Sequence, residues 1–239
     1  MAEAPAEISL SPEGLSAYVV GYTGEVGKEV VKELARCDAF SKVTLIGRRT
    51  VEFDDPELMK KMEQKVIDFE KPEESADAFK ADVGFCCLGT TRGKSGSSGF
   101  YKVDHDYVMN TAKVAKNAGC KHFSLCSSQG ANKNSWFLYM KTKGQVEEEL
   151  KALEFTHLDI FQPGFLECDR KESRAGEKVL GTVMKPFLKA FPNTMSISTA
   201  TVAKAMVHMT ISPERAKGDK WKIFNMKEMA AAAAAQDKK

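Results

Sequence analysis

Residue types suited to proton transfer come together in the segment CSSQGANKNSWFLYMKTK, which contains Ser127, Ser128, Tyr139 and Lys143. Tyr139 and Lys143 are four residues apart, so on a helix they lie on one face. A free tyrosine has a pKa of about 10, but a neighbouring ammonium favours the phenolate and makes proton exchange efficient near neutral pH. A nearby serine hydroxyl can hold a substrate carbonyl for hydride attack. The segment predicts carbonyl reduction, with a surface tyrosine and lysine as the alternative.

Three glycines spaced by three, Gly21, Gly24 and Gly27, follow an apolar run in YVVGYTGEVG and precede a helix-like stretch. Gly21 is expected to make a tight turn, Gly24 to let the backbone approach a pyrophosphate, and Gly27 to let the helix lie close to the sheet. The spacing is a variant of the dinucleotide fingerprint G-x-G-x-x-G. The segment therefore predicts a phosphate-binding turn, and a structural loop is the alternative.

An arginine pair, Arg48 and Arg49, ends the second strand-like run, KVTLIGRRT. A dinucleotide-binding fold meets the adenosine ribose at this position. An acidic residue there holds the 2′-hydroxyl of NAD, whereas guanidinium groups supply paired donors for a 2′-phosphate. The pair predicts selectivity for NADP over NAD, unless the two arginines are merely solvated.

Strand-like and helix-like stretches alternate along the chain. Strands are predicted at 16–20, 42–46, 64–69, 83–88, 122–127 and 156–161, and helices at 25–37, 75–79, 101–118 and 136–153. This alternation predicts an α/β fold of Rossmann type: a doubly wound parallel sheet with helices on both faces and small C-terminal substrate-side elements. A single domain is expected at 16–225, with a disordered tail at 1–15 and a C-terminal helix or disordered tail at 226–239.

Two segments interrupt the alternation. Residues 89–99, GTTRGKSGSSG, follow a predicted strand end and are expected to form an active-site lid or a plain surface connection, and their position favours the lid. Residues 167–178, ECDRKESRAGEK, are densely charged, and are expected either to close over a substrate or to be solvated.

Composition excludes several classes of function. The 239 residues are 43% hydrophobic and 28% charged with a net charge of +2, which is ordinary for a globular protein and gives no basic block suited to nucleic acid. No apolar run is long enough for a transmembrane helix, and no leader pattern precedes the first strand, so a cytosolic or nucleocytoplasmic location is expected. The six cysteines form no C-x-x-C pair, which argues against a metal site and favours buried reduced thiols.

The glycine turn, the arginine pair, the serines and the Y-x-x-x-K spacing together resemble the short-chain dehydrogenase/reductase superfamily, in its atypical or extended branch. The resemblance extends over most of residues 16–225 and is also carried by SKVTLIGRR, VIDFEK, DVGFCCLGTTRGK, GCKHF, SSQGA and PGFLECDRKES. It implies NADPH as the cofactor. The implied cofactor contacts are Arg48 and Arg49 at the 2′-phosphate, Asp68 and Phe69 at the adenine, Gly21, Thr23, Gly24, Glu25 and Val26 at the pyrophosphate with Gly27 behind them, Leu88, Gly89, Thr90, Tyr139 and Lys143 at the nicotinamide ribose, and Pro163, Gly164, Phe165 and Leu166 at the nicotinamide.

Two residues depart from the pattern of the family. Tyr22 stands where a small residue is usual, and it is expected to tighten the phosphate turn or to cover the cofactor. Gln162 replaces an arginine expected before Pro-Gly, which could alter the preference for substrate charge. Neither departure removes a catalytic group.

Two functions follow from the resemblance. In the first, the protein is an NADPH-dependent oxidoreductase in which Tyr139 gives the proton, Lys143 tunes it, and Ser127 or Ser128 orients the oxygen of a small-molecule carbonyl substrate. In the second, the protein is a cofactor-occupied sensor that engages regulatory partners of nuclear transport or transcription, importin among them, with little turnover. A monomer or a homodimer is consistent with either.

Overall fold

A seven-stranded parallel sheet forms the centre of the computed structural model, which describes residues 14–53, 55–90, 92–167 and 196–237. Its strands lie in the order β3-β2-β1-β4-β5-β6-β9, and every neighbouring pair is parallel. The strands are β1 (Leu15–Val20), β2 (Phe40–Gly47), β3 (Met62–Val66), β4 (Val83–Cys86), β5 (His122–Cys126), β6 (His157–Phe161) and β9 (Trp221–Phe224). A separate parallel pair joins β7 (Phe165–Glu167) to β8 (Ser196–Ser198).

Helices cover both faces of this sheet. They are α1 (Glu25–Arg36), α2 (Arg92–Tyr101), α3 (Tyr107–Asn117), α4 (Leu138–Lys151), α5 (Thr199–Thr210), α6 (Pro213–Ala216) and α7 (Met226–Gln236), with a π-helical turn at Lys102–Asp106 and 3-10 turns at Pro56–Met59 and Pro72–Phe79. None of the described helices is long and apolar enough to cross a membrane.

Two apolar cores lie on opposite faces of the sheet. On β1, Ala17 and Val19 join the core beneath α1, α5 and α7, whereas Tyr18 and Val20 join the core beneath α3 and α4. Side chains alternate across a strand, so a strand buried on both faces reads as a continuous apolar run. This arrangement confirms the predicted doubly wound Rossmann-type sheet, whose carboxyl edge collects the loops that can bind ligands.

The segment expected as a glycine-rich lid or connection is largely helical. Helix α2 begins at Arg92 and is interrupted at Gly96, whose φ of 69° departs from helical geometry. Phe100, at the other end of α2, is fully buried and anchors it against the rest of the fold. Glycine and serine propensities disfavour a helix here, and burial of one aromatic side chain stabilises it. The choice between a lid and a plain connection stays a prediction. Thr91 and residues 168–178 of the charged segment lie outside the described residues.

The C-terminal part completes the sheet, in addition to forming the substrate-side pair β7–β8. Strand β9 pairs with β6, and α5 packs against both α1 and α7. The alanine-rich segment forms α7, which begins with a capping box: the Asn225 side chain accepts from the backbone of Glu228, and the Glu228 side chain accepts from the backbone of Asn225. This cap satisfies amides that a frayed helix would leave free.

A buried ionic cluster lies at the amino ends of β5 and β6, opposite the edge that collects the loops. The Asp159 carboxylate accepts from His122 Nε2 at 2.9 Å and from Arg215 Nε at 2.5 Å. Arg215 also donates to His157 Nδ1 at 3.4 Å, so His157 is neutral. Burial, together with the charges of His122 and Arg215, lowers the pKa of His157 to about 4. Charging His157 therefore opposes folding.

This cluster predicts an acid-sensitive fold. The pKa of His157 is lower in the folded chain than in the unfolded chain, so its contribution to stability is complete above about pH 6.5 and is lost as the pH falls towards 4. We expect the free energy of unfolding in urea to fall by on the order of 3 kcal/mol over this window. His157→Gln should flatten the pH dependence, and an unchanged pH dependence in that variant would contradict the assignment.

Candidate functional site

The turn between β1 and α1 is built so closely that two of its glycines cannot be replaced without displacement of backbone. A Cβ atom on Gly21, whose φ is 77°, would lie 2.4 Å from the carbonyl oxygen of Cys87, and one on Gly27 would lie 2.2 Å from the carbonyl oxygen of Gly21. Gly24 is exposed, and its N–H closes the turn by donating to the Gly21 carbonyl at 3.0 Å. Gly21 and Gly27 therefore bring strand, turn and helix into contact, while Gly24 is exposed at the surface of the turn.

The first turn of α1 has free amide donors. Gly24 is the N-cap residue and provides no side-chain cap, so the initial N–H groups can bind an anion. Thr23 is exposed beside them, and Val26 is buried against the sheet. Glu25 turns its carboxylate to Lys28, at 3.2 Å. Of the residues predicted at the pyrophosphate, Thr23 and Gly24 present open surface there.

Arg48 and Arg49 follow β2 and are exposed at the same edge of the sheet. Within the part of the chain that the structure describes, no carboxylate lies within ion-pair distance of either guanidinium. Two cations without counterions, close to a turn that can bind phosphate, form a surface suited to an anionic ligand.

The predicted adenine contacts lie beyond β3. Asp68 is exposed and its carboxylate accepts from the backbone N–H of Glu70 at 2.9 Å, whereas Phe69 is buried with its ring stacked on Tyr107 at 5.5 Å. The Tyr107 hydroxyl donates to Glu70 at 2.6 Å, and this hydrogen bond raises the pKa of Tyr107 while the nearby charge of Arg48 opposes the rise. Asp68 is therefore accessible to a ligand, whereas Phe69 packs beneath the surface against Tyr107.

Tyr139 and Lys143 lie on one face of α4, as predicted, but in different environments. Tyr139 is 42% exposed, with its ring 5.7 Å from that of Phe100, whereas Lys143 is 5% exposed. Burial alone would lower the pKa of Lys143, but the Asp104 carboxylate and the nearby Tyr139 hydroxyl outweigh burial and raise that pKa above its ordinary value. Lys143 is therefore a protonated ammonium beside a solvent-accessible phenol.

Asp104 is the site residue that the sequence did not reveal. Its side chain is 1% exposed, with one oxygen 2.8 Å from Lys143 Nζ and the other accepting from the Thr90 backbone N–H at 2.7 Å. Asp104 and Asp106 stand in the same charged stretch, KVDHDY, and composition does not distinguish them. The π-helical turn at Lys102–Asp106 decides which carboxylate points inwards, and such turns are frequent at functional sites.

The two candidate serines have different partners. Ser127 is buried and its hydroxyl donates to the Glu147 carboxylate, which also accepts from the Gln162 amide at 3.0 and 2.9 Å. Ser128 is half-buried, and its hydroxyl makes one long hydrogen bond, 3.3 Å, to the carbonyl of Gln129. Ser127 is thus engaged in a buried network, whereas Ser128 can donate to a ligand.

The two departures from the family pattern have structural roles. The Gln162 amide donates to the Glu147 carboxylate, and the effect of this residue on the preference for substrate charge stays a prediction, as does any effect of Tyr22 on the tightness of the phosphate turn. Tyr22 does not cover a cofactor surface, because its side chain is 2% exposed and its hydroxyl donates towards the Arg49 carbonyl at 2.9 Å. That expectation is wrong because the hydroxyl finds hydrogen-bond partners inside the fold.

The remaining predicted contacts follow the ends of β4 and β6. Leu88 and Thr90 are half-buried, and Gly89 lies against the ion pair, since a Cβ there would be 3.4 Å from Asp104 Oδ1 and 3.9 Å from Lys143 Nζ. After β6, Pro163 is buried and accepts from the Gln129 N–H, Gly164 donates to the Met226 sulfur at 3.0 Å, Phe165 is exposed and Leu166 is half-buried. These segments meet at one edge of the sheet.

Burial raises the pKa values of the thiols near this edge, that of Cys126 to about 11 and that of Cys86 to about 12, and the Lys143 ammonium offsets only part of each rise. The five cysteines among the described residues are free; Cys168 lies outside them. No group of three or more His, Cys, Asp or Glu side chains in the described ranges is arranged to hold a metal ion.

Comparisons with known proteins agree with this geometry. A family model described as NAD(P)H-binding matches residues 21–213. The segments quoted above also resemble the Tat-interactive protein, and this resemblance is confirmed: protein HTATIP2 of Rattus norvegicus is 47% identical over 83% of this chain and 82% of its own. The solved structure of MoeE5 in complex with UDP-glucuronic acid and NAD shares 13% identity and superposes with a TM-score of 0.66, covering 88% of this chain and 76% of its own.

A fungal relative corrects the expected location. Protein FMP52, mitochondrial, of Candida albicans is 38% identical over 71% of this chain and 75% of its own. Other fungal relatives carry the same name. This finding overturns the expectation of a cytosolic or nucleocytoplasmic location, which rested on the absence of a leader pattern. By sequence, the chain belongs to the NAD(P)H-binding family, and its sheet is Rossmann-like.

Proposed function

We propose that the protein is an NADPH-dependent oxidoreductase that reduces a small-molecule carbonyl compound, with Tyr139 as the proton donor. The observation that carries this proposal is the buried Asp104–Lys143 pair, which holds an ammonium beneath an accessible tyrosine. A protein that only retained a nucleotide would have no need of a desolvated ion pair under a phenol, because such a pair costs desolvation energy.

The residues present fit a bound dinucleotide. The uncapped start of α1 and the exposed Gly24 suit a pyrophosphate, and Arg48 and Arg49, which have no ion-pair partner among the described residues, suit a 2′-phosphate. A bound nicotinamide supplies the hydride. The chain itself has to hold the ribose, orient the carbonyl and deliver a proton.

Each of these tasks has a candidate residue. Lys143 donates towards the ribose and places a positive charge beside Tyr139, while Asp104 fixes the ammonium and the Thr90 backbone. Ser128, rather than the engaged Ser127, donates to the substrate oxygen, and Tyr139 gives the proton.

A second candidate is a cofactor-dependent binding module. Trp136 and Phe137 stand 100% and 71% exposed directly before α4, and exposed aromatic side chains are enriched where proteins bind other proteins. In this function the regulatory partners implied by the resemblance, importin among them, would read the cofactor-bound state. The two candidate functions differ in turnover, which the oxidoreductase requires and the binding module does not.

Cofactor preference provides the first test. NADPH should bind more tightly than NADH, because each charge-assisted contact to the 2′-phosphate contributes roughly 1.5–3 kcal/mol. Arg48→Glu should remove most of this preference, as measured by titration calorimetry. Arg36→Glu makes the same change of charge at the far end of α1 and should preserve it. Equal affinities of the unmodified protein for both cofactors would exclude the assignment.

The second test removes the phenolic oxygen. Tyr139→Phe keeps the ring, so cofactor affinity should fall only by the value of one hydrogen bond, whereas turnover of the best aldehyde or ketone found with NADPH should fall by roughly a hundredfold or more. Tyr101→Phe, which removes a hydroxyl from a ring stacked on His105, is the matched control. Unchanged turnover in Tyr139→Phe would favour the binding module.

The third test concerns the buried ion pair. The Asp104 carboxylate raises the pKa of Lys143, so the ammonium persists at alkaline pH. Asp104→Asn removes this charge while burial remains, so the pKa of Lys143 should fall and the alkaline limb of kcat/KM should move to lower pH. The pH at which NADPH affinity falls on the alkaline side should move to lower pH in the same way. A profile identical to that of the unmodified protein would show that Asp104 does not act through Lys143.

A further inference from the structure

The side chain of Tyr22 crosses from the phosphate turn to the segment that carries the arginine pair. Its hydroxyl lies 2.9 Å from the carbonyl oxygen of Arg49 and 2.9 Å from Oε1 of Gln64, on β3. Both atoms are acceptors, so the single hydroxyl hydrogen is shared between them. Tyr22 therefore joins three parts of the sheet edge: the turn after β1, the segment after β2, and strand β3.

The orientation of Gln64 is fixed by a second residue of the arginine segment. The Val51 N–H donates to Gln64 Oε1 at 2.9 Å, and Gln64 Nε2 donates to the Val51 carbonyl at 2.8 Å. With the amide turned the other way, donor would face donor and acceptor would face acceptor. Gln64 thus closes a two-bond clamp on the backbone two residues after Arg49, and Tyr22 extends that clamp to Arg49 itself.

Packing holds the Tyr22 ring in place. A Cβ atom on Gly47 would lie 2.8 Å from Cε1 of Tyr22, so the ring occupies the space directly beside the residue that precedes the arginine pair. The ring also stacks on Phe53, with centroids 6.3 Å apart and an interplanar angle of 24°. Backbone on both sides of Arg48 and Arg49 is therefore restrained, although both side chains are exposed.

We propose that Tyr22 is a positioning residue for cofactor selectivity: it preorganises the Arg48–Arg49 backbone for a 2′-phosphate and links that segment to the pyrophosphate turn. The inference rests on the proposed binding of the 2′-phosphate by the two arginines. An exposed arginine loses conformational freedom when it binds, and a backbone held in advance reduces that loss. Because Tyr22 stands between Gly21 and Thr23, a ligand that orders the turn also orders the arginine segment.

Tyr22→Phe tests this role, because it keeps the packed ring and removes the bonds to Arg49 and Gln64. Titration calorimetry with NADPH and NADH should show NADPH affinity reduced by about three- to tenfold, the equivalent of one hydrogen bond, with NADH affinity unchanged. Tyr18→Phe is the matched control, since it removes a hydroxyl buried on the opposite face of β1, and it should leave the ratio of the two affinities unchanged.

A double-variant cycle shows whether Tyr22 acts through the arginines. In an Arg48→Ala/Arg49→Ala background, Tyr22→Phe should produce no further selective loss. Gln64→Leu provides the same test if Tyr22→Phe does not fold, because it removes the clamp and leaves the ring. Hydrogen exchange at the Val51 amide should accelerate in Gln64→Leu.

The outcomes separate this inference from the proposed function. If the unmodified protein prefers NADPH and a folded Tyr22→Phe variant shows the same preference, the role of Tyr22 is overturned and the arginine assignment remains intact. Equal losses for NADPH and NADH also overturn it, because they indicate a merely structural role. An unmodified protein without preference overturns both.

Discussion

Close contact between backbone segments at the Gly21 turn is the constraint on which the site depends. The turn lies against the end of β4, at Cys87, and α1 lies against the turn, so a side chain at Gly21 or Gly27 would force strand or helix away. That contact aims the uncapped start of α1 at the carboxyl edge of the sheet. It also brings the segment after β4 beside the turn, where Leu88 to Thr90 can meet the same ligand. The position of the proposed anion site relative to the candidate catalytic residues follows from this packing.

A buried ion pair provides the second fixed point. Isolated burial of Lys143 would favour its neutral form, and the Asp104 carboxylate reverses that preference. Because the other oxygen of Asp104 accepts from Thr90, the same carboxylate positions the segment after β4 and the lysine of α4. Asp104 thus fixes the backbone after β4 and also holds the lysine that is the candidate functional group.

The sequence predicts the architecture and the principal site positions because each depends on local spacing. The glycines, the arginine pair and the Tyr139–Lys143 spacing are set by neighbours along the chain, and the sheet follows from apolar periodicity. The roles of Asp104, Tyr22 and the two serines depend on which side chains become partners in the folded chain. Helix α2 was missed for the same reason, since Phe100 stabilises it through a tertiary contact that glycine and serine composition does not indicate.

The shared use of the ion pair determines which substitutions can distinguish catalysis from cofactor-dependent binding. A change at Lys143 or Asp104 alters the ion pair that also holds the Thr90 segment and the proposed ribose contact, so loss of turnover and loss of cofactor affinity are expected to coincide. Tyr139 differs because its hydroxyl is exposed and makes no hydrogen bond to the described part of the chain. Removing that oxygen leaves the ion pair and the phosphate turn in place. The phenol is therefore the group at which the chemistry separates from the binding.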